Sequence, residues 1–172
     1  MSCKIDVKQK IKHRVSVMAK YTYNQVADWF LSKDMGRISP KKLQKLVYYA
    51  YAWTLTLTND SPDHINNRLF NNGKFEAWIH GPVIRGLYAE YADYGFNGIT
   101  KKVNKIKFTD DIEDILNQVW DVYGKYTADQ LESMTHQEDP WQNARKGYSP
   151  LENCSNEISD VDIFNYYIKR VA

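Results

Sequence analysis

Cysteine is scarce in this chain. The two present, Cys3 and Cys154, stand near opposite ends of the 172 residues. Neither belongs to a CxxC pair or a Cys/His array, which argues against a metal site. Two lone thiols with no secretory leader fit a reduced cytoplasm better than a disulfide scaffold. A long apolar run is also lacking: nothing approaches the roughly 20 residues a membrane helix needs. The expectation is a soluble cytoplasmic protein. The signatures of common enzyme classes are missing too, with no G-x-S-x-G elbow, no H-E-x-x-H pair, no phosphate-binding P-loop and no G-x-G-x-x-G turn. No repeat, low-complexity tract or long linker interrupts the sequence, so its length reads as one domain with a core large enough to need no staples.

Aromatic residues are plentiful at 14%, with 13 Tyr and 5 Trp. Both pair an apolar body with a polar edge, which suits a protein interface or a core that reaches the surface. A Tyr-rich core alone accounts for the same composition. The net charge of +2 hides an uneven distribution. Residues 1–20 hold Lys4, Lys8, Lys10, Lys12, Arg14 and Lys20 against Asp6, a local charge of +5. Such an arm attracts nucleic acid or an acidic protein by nonspecific electrostatics, or is simply a solvated terminus. Ile5, Val7, Ile11, Val15 and Val17 partly alternate, which also admits an added strand. Residues 1–21 are read as a basic N-terminal extension and 22–172 as a single helical domain.

Helix signals dominate the rest. Thr22 and Gln25 have capping-box spacing, Val26, Trp29 and Phe30 follow on one face, and Gly36 marks the exit. Ser39 and Pro40 open the next helix, whose stripe is Leu43, Leu46, Val47, Ala50, Thr54 and Leu57. Lys41, Lys42 and Lys45 lie around its first turns, largely off that stripe and against the helix dipole, which marks either function or a solvated basic face. Asn59 to His64 reads as a polar loop. Residues 68–70 and Phe75 to Ile79 flank Asn71, Asn72 and Gly73, a turn signal that predicts a β-hairpin. Gly81 and Pro82 then break the strand and pre-set a helix at Pro82 with Ile84, Leu87, Tyr88 and Tyr91 inward and Gly95 at its end. Residues 101–108 read as a loop or short edge strand. Thr109 caps a helix faced by Ile112, Ile115, Leu116, Val119, Val122 and Tyr123, stopped by Gly124. Thr127 and Gln130 form a second capping box, Pro140 starts a new turn, and Ser149-Pro150 begins a connecting loop. Ser159 caps a last helix with Val161, Phe164, Ile168 and Val171 inward. The fold class is mainly α: a compact bundle of about six or seven helices with a small β-hairpin at its side.

The histidines, His13, His64, His80 and His136, are scattered. The run His136 to Asp139 is the best acid–base or metal candidate, although short polar residues at a helix end also cap backbone groups. An enzyme centred on His136 and Asp139 is therefore one alternative. For nucleic acid, the candidates are the basic arm and the lysines at 41, 42, 45, 101, 102, 105 and 107, interleaved with tyrosine. The near-neutral total and the absence of a helix-turn-helix pattern set nucleic acid aside.

Five segments together carry a resemblance that none carries alone: VADWFL (Val26 to Leu31), KLQKLVYYAYAW (Lys42 to Trp53), LF followed by FEAWIHGPV (Leu69 to Val83), LYAEY (Leu87 to Tyr91) and THQEDPW (Thr135 to Trp141). In this order and spacing the chain resembles the SocA-like antitoxin family, the Panacea domain, from about Tyr23 to about Ile168. The resemblance implies a bacterial, phage, prophage or mobile-element protein of a toxin–antitoxin system. It implies no cofactor and no catalysis, and a protein partner: a cognate toxin bound directly, with a ClpXP-type protease in the adaptor variant of the mechanism. The same scaffold binding another host protein is the second reading. Leu43, Leu46, Tyr49, Trp53, Gly81, Pro82, His136, Pro140 and Trp141 are the motif positions expected to build the fold. The expected partner-binding surface is Lys41, Lys42, Lys45, Trp78, His80 and Pro82, because the start of the central helix and the 78–82 turn carry polar or aromatic residues that a core does not demand.

Overall fold

The structure, a computed structural model, describes residues 21–171. The basic arm and its candidate strand lie outside the described residues. Among the described residues, seven α-helices and one two-stranded sheet alternate along the chain: α1 (Tyr23–Lys33), α2 (Pro40–Thr58), β1 (Phe75–Trp78), β2 (Gly81–Ile84), α3 (Arg85–Tyr91), α4 (Asp110–Tyr123), α5 (Ala128–His136), α6 (Asp139–Ala144) and α7 (Asp160–Tyr167). A mainly helical bundle with a small antiparallel hairpin is therefore the fold.

The helix starts follow local chemistry. Thr22 and Thr127 close full capping boxes with Gln25 and Gln130. The Ser39 and Ser159 hydroxyls accept from Lys42 N and Asp162 N. Thr109 occupies the N-cap of α4 without a side-chain cap bond; Asp110, Asp111 and Glu113 in the first turn complement the dipole there instead.

Helix α2 is not amphipathic. Every residue from Leu43 to Thr56 is buried, because α1, α3, α4, α5, α7 and β2 all pack around it. Aromatic rings fill the space between: Tyr49 stacks on Tyr123 with centroids 3.8 Å apart, and Trp53 meets Tyr167 edge-on at 5.1 Å. The solvated basic face expected for its first turns fails at Lys45, which is 1% exposed.

The hairpin forms elsewhere than the Asn-Gly signal predicts. β1 pairs with β2 in the register Phe75 to Ile84 and Trp78 to Gly81, so the turn is at Ile79 and His80. Residues 71–73 are diverted into packing against α1: Asn72 Oδ1 accepts from Tyr23 N at 3.0 Å, and a Cβ on Gly73 would stand 2.8 Å from the Tyr23 ring. Pro82 does not begin a helix; it lies in β2, and α3 starts at Arg85. It is tolerated there because its register partner Ala77 sends its N–H to the Asn156 carbonyl and receives Arg145 on its own carbonyl. Residues 101–108 form no strand. Helix α7 buries Ile163, Phe164 and Tyr167, while Val161 and Ile168 face outward. The helix is turned to bring the Tyr167 hydroxyl onto Glu138 at 2.7 Å.

Candidate functional site

The hairpin turn presses onto the first turns of α2, and a glycine makes the approach feasible. Gly81 has φ +93°, and a Cβ there would sit 2.7 Å from Lys45 Cε and 2.8 Å from Thr135 Oγ1. Beneath it, Lys45 Nζ donates to the Pro82 carbonyl at 3.0 Å. The preceding residue, Gln44, clamps the Ile84 backbone, with Nε2 donating to its carbonyl at 3.1 Å and Oε1 accepting from its N–H at 2.9 Å. This clamp fixes the junction of β2 and α3.

Charge is organised around Glu132 of α5. It accepts from Lys41 Nζ and lies 2.9 Å from His80 Nδ1, while Lys41 also reaches Asp129 at 2.7 Å. Burial alone would raise the Glu132 pKa, but Lys41 and His80 outweigh it and hold the carboxylate below its ordinary value. Burial likewise works against the Lys41 ammonium, and Asp129 and Glu132 reverse the sign, raising its pKa. Lys45 has no such rescue. Burial pushes it down to about 7, with Glu132 opposing and Lys41 adding to the drop.

A cleft of about 650 Å³ opens beside these groups, between the start of α2, the 78–80 turn, α3 and the 153–155 segment. Lys41, Lys45, Trp78, His80, Arg85 and Tyr88 line it, with Val83 and Phe96 among the apolar contributors. Trp78 and Tyr88 meet at 5.0 Å, and the Arg85 guanidinium lies 5.4 Å from the Trp78 ring while bonding Glu76.

A second polar centre lies between Tyr49 of α2 and Tyr167 of α7, at the wall of another cleft of about 500 Å³. Glu138 is 6% exposed and accepts from Tyr49 at 3.1 Å and Tyr167 at 2.7 Å. Burial pushes its carboxyl up to about 7, against the lowering effect of both hydroxyls. Trp53 Nε1 donates to the Tyr123 hydroxyl at 3.1 Å, continuing the polar run between rings.

The family model for antitoxin SocA-like proteins, Panacea domain, matches residues 43–142. The chain belongs to this family. Neither a curated protein nor a solved structure matches the chain. Family membership gives this SocA-like protein an antitoxin-type role and, in general terms, a protein partner.

The SocA-like motifs acquire physical roles on this structure. Leu43, Leu46, Tyr49 and Trp53 are core. Gly81, Pro82 and Lys45 form the turn contact described above. Pro140 is buried in the first turn of α6, and Trp141 Nε1 donates to the Trp78 carbonyl at 2.9 Å. His136 stacks on Trp141 at 4.1 Å, and burial holds its imidazole below the ordinary histidine value. Asp139 is exposed at the start of α6, and no hydrogen bond joins it to His136 among the described residues.

The six residues expected to bind a partner do not share one surface. Lys41, Lys45, Trp78 and His80 meet at the cleft, with Pro82 buried behind them. Lys42 points to the other side of α2, where Nζ donates to the Gly124 carbonyl at 2.6 Å. Sequence reasoning missed Arg85, Tyr88 and Phe96 on the cleft and Arg145 beneath it. Arg145 is buried and donates to the carbonyls of Ala77, Ser149, Pro150 and Glu152. The outward position of Tyr88 has no separate signature in a stripe that also holds Leu87 and Tyr91.

Proposed function

We propose that this chain is an antitoxin that neutralises a cognate toxin by direct protein–protein binding, with the cleft and its rim as the docking surface. The observation that carries the reading is a concavity rimmed by aromatic and cationic side chains in a chain of this family. Tyr88 is 47% and Phe96 95% exposed beside the partly exposed Trp78, and Lys41, His80 and Arg85 stand among them. Aromatic and arginine side chains around a pocket are the usual anchors of tight protein interfaces. The rigid support matters as much: Gln44, Lys45 and Trp141 fix the turn and β2 from below, so few side chains have to be ordered on binding.

Delivery of the bound toxin to a ClpXP-type protease is an extension of the same binding step. The deciding experiment is growth rescue: expression of the chain together with the product of the adjacent gene, followed by co-purification. Rescue with a stable complex supports sequestration. Rescue with accelerated toxin loss that needs the protease supports delivery. No rescue, with a different host protein retained on purification, would transfer the scaffold to the second reading, a mobile-element protein that binds a host target. Within the surface, Lys41→Glu is expected to weaken toxin binding and Lys42→Glu to leave it unchanged, since Lys42 faces α4.

A further inference from the structure

The cleft has a chemical bias beyond its shape. Its lining includes Lys41, Lys45, His80 and Arg85 and, among the described residues, no aspartate or glutamate. The acids that pair with the rim, Glu132 and Glu76, lie outside that lining. Lys45 is the group least provided for. Its Nζ has the Pro82 carbonyl as its hydrogen-bond partner and is 3.0 Å from where a Gly81 Cβ would stand. The charged and titratable groups around it are Lys41 on its own helix, His80 on the turn, Arg85 on α3, and Glu132 and His136 on α5. A buried ammonium against apolar walls gains most from an occupant that brings a negative charge and excludes water. The volume falls within the range of sites that enclose an organic group, and the apolar walls favour a ring or branched chain.

On the antitoxin reading, we propose that the bound toxin fills this cleft with an apolar or aromatic side chain accompanied by a carboxylate directed at Lys45. The anionic group belongs at Lys45 because the other lining cations are already paired, Lys41 and His80 with Glu132 and Arg85 with Glu76, whereas among the described residues no salt bridge reaches Lys45. The partner is apolar here because Trp78, Val83, Tyr88 and Phe96 stand among the cations in the wall. Binding draws a proton onto Lys45, which burial leaves only partly charged at neutral pH. Affinity for the carboxylate therefore falls by up to about tenfold per pH unit above about 7.

The probe is 3-phenylpropionate, with 3-phenylpropionamide as its neutral counterpart, titrated into the full chain and read by amide NMR shifts. The acid is expected to bind about tenfold tighter than the amide at pH 6, to shift residues of the 41–45 and 78–88 segments, and to displace the cognate toxin. Lys45→Met is expected to abolish the preference for acid over amide. If that variant does not fold, the acid–amide and pH comparisons on the unaltered chain still decide. Equal affinity for the two probes, or shifts away from the cleft, would overturn the proposal. So would acid binding at the cleft that leaves the toxin in place, since that describes a separate small-molecule site. The growth assay judges the antitoxin reading by itself, so failure of one is told apart from failure of the other.

Discussion

Replacing Gly81 with alanine tests the packing of the turn on α2, and the fold supplies its own control. Gly81 and Gly147 share nearly the same φ, +93° and +91°. An alanine at either pays the same local strain, about 1–3 kcal/mol. Their surroundings differ. A Cβ at 147 meets nothing within 4 Å, whereas at 81 it meets Lys45 Cε at 2.7 Å and Thr135 Oγ1 at 2.8 Å. Neither neighbour yields freely: Lys45 is enclosed and bonded to Pro82, and the Thr135 hydroxyl donates to the Glu132 carbonyl at 2.9 Å. Overpacking of this kind adds about 1–3 kcal/mol. Gly81→Ala should therefore lose about 2–6 kcal/mol and Gly147→Ala about 1–3. Urea unfolding at constant m-value reads the difference directly, and for a domain of this size the gap in Tm is roughly 2–12 °C. Equal losses in the two variants would refute the claim that the turn bears on Lys45 and Thr135.

Three further outcomes follow from the buried groups and the rim. Glu138 is raised above its ordinary value of 4.5 to about 7, so stability is full below 4.5 and is lost as pH rises through that interval; Lys45 is lowered from 10.5 to about 7, so stability is full above 10.5 and is lost as pH falls toward 7. The two penalties overlap most fully near pH 7. Urea midpoints across pH should show Glu138→Gln flattening the slope between pH 5 and 7, and Lys45→Met flattening it between pH 7.5 and 10. Arg145→Met strands up to four carbonyls and should lose about 3–5 kcal/mol in chemical denaturation, with Arg145→Lys recovering little because an ammonium cannot match the guanidinium fork. Phe96→Ser, at an exposed site, should change stability by no more than about 0.5 kcal/mol while weakening toxin binding about tenfold in calorimetry.

Caps and core stripes were legible because they are local. A hydroxyl before a helix and a glutamine three residues on satisfy each other whatever the rest of the molecule does. The family was legible for another reason: the 42–53, 75–83 and 135–141 segments come together in the fold, Thr135 at Gly81, Glu138 on Tyr49 and Trp141 on Trp78. What failed was every judgement that needed a distant partner. The Asn-Gly signal at 72–73 was overridden because Tyr23 takes both residues into the packing of α1. Lys45 read as solvated because nothing local reveals that β2 covers it. The face expected for α7 shares Phe164 with the buried one but departs from it at Val161 and Ile168, because the helix is turned by a distant partner, Glu138, which holds the Tyr167 hydroxyl. Of the surface expected from unusual placement, Lys41, Trp78 and His80 come together at one cleft. Lys42 was misjudged as their neighbour because residues one apart on a helix diverge by about 100°.

The complete enclosure of α2 has a consequence for how the chain can be divided. Each flanking helix borrows its inner wall from the same 19-residue rod, so no subset of elements owns a core. A nick in the 59–74 connection should leave two fragments that are unstructured apart yet reassemble when mixed. A change of partner is correspondingly easier to accommodate in the outer shell than along the rod, which six elements share as a wall.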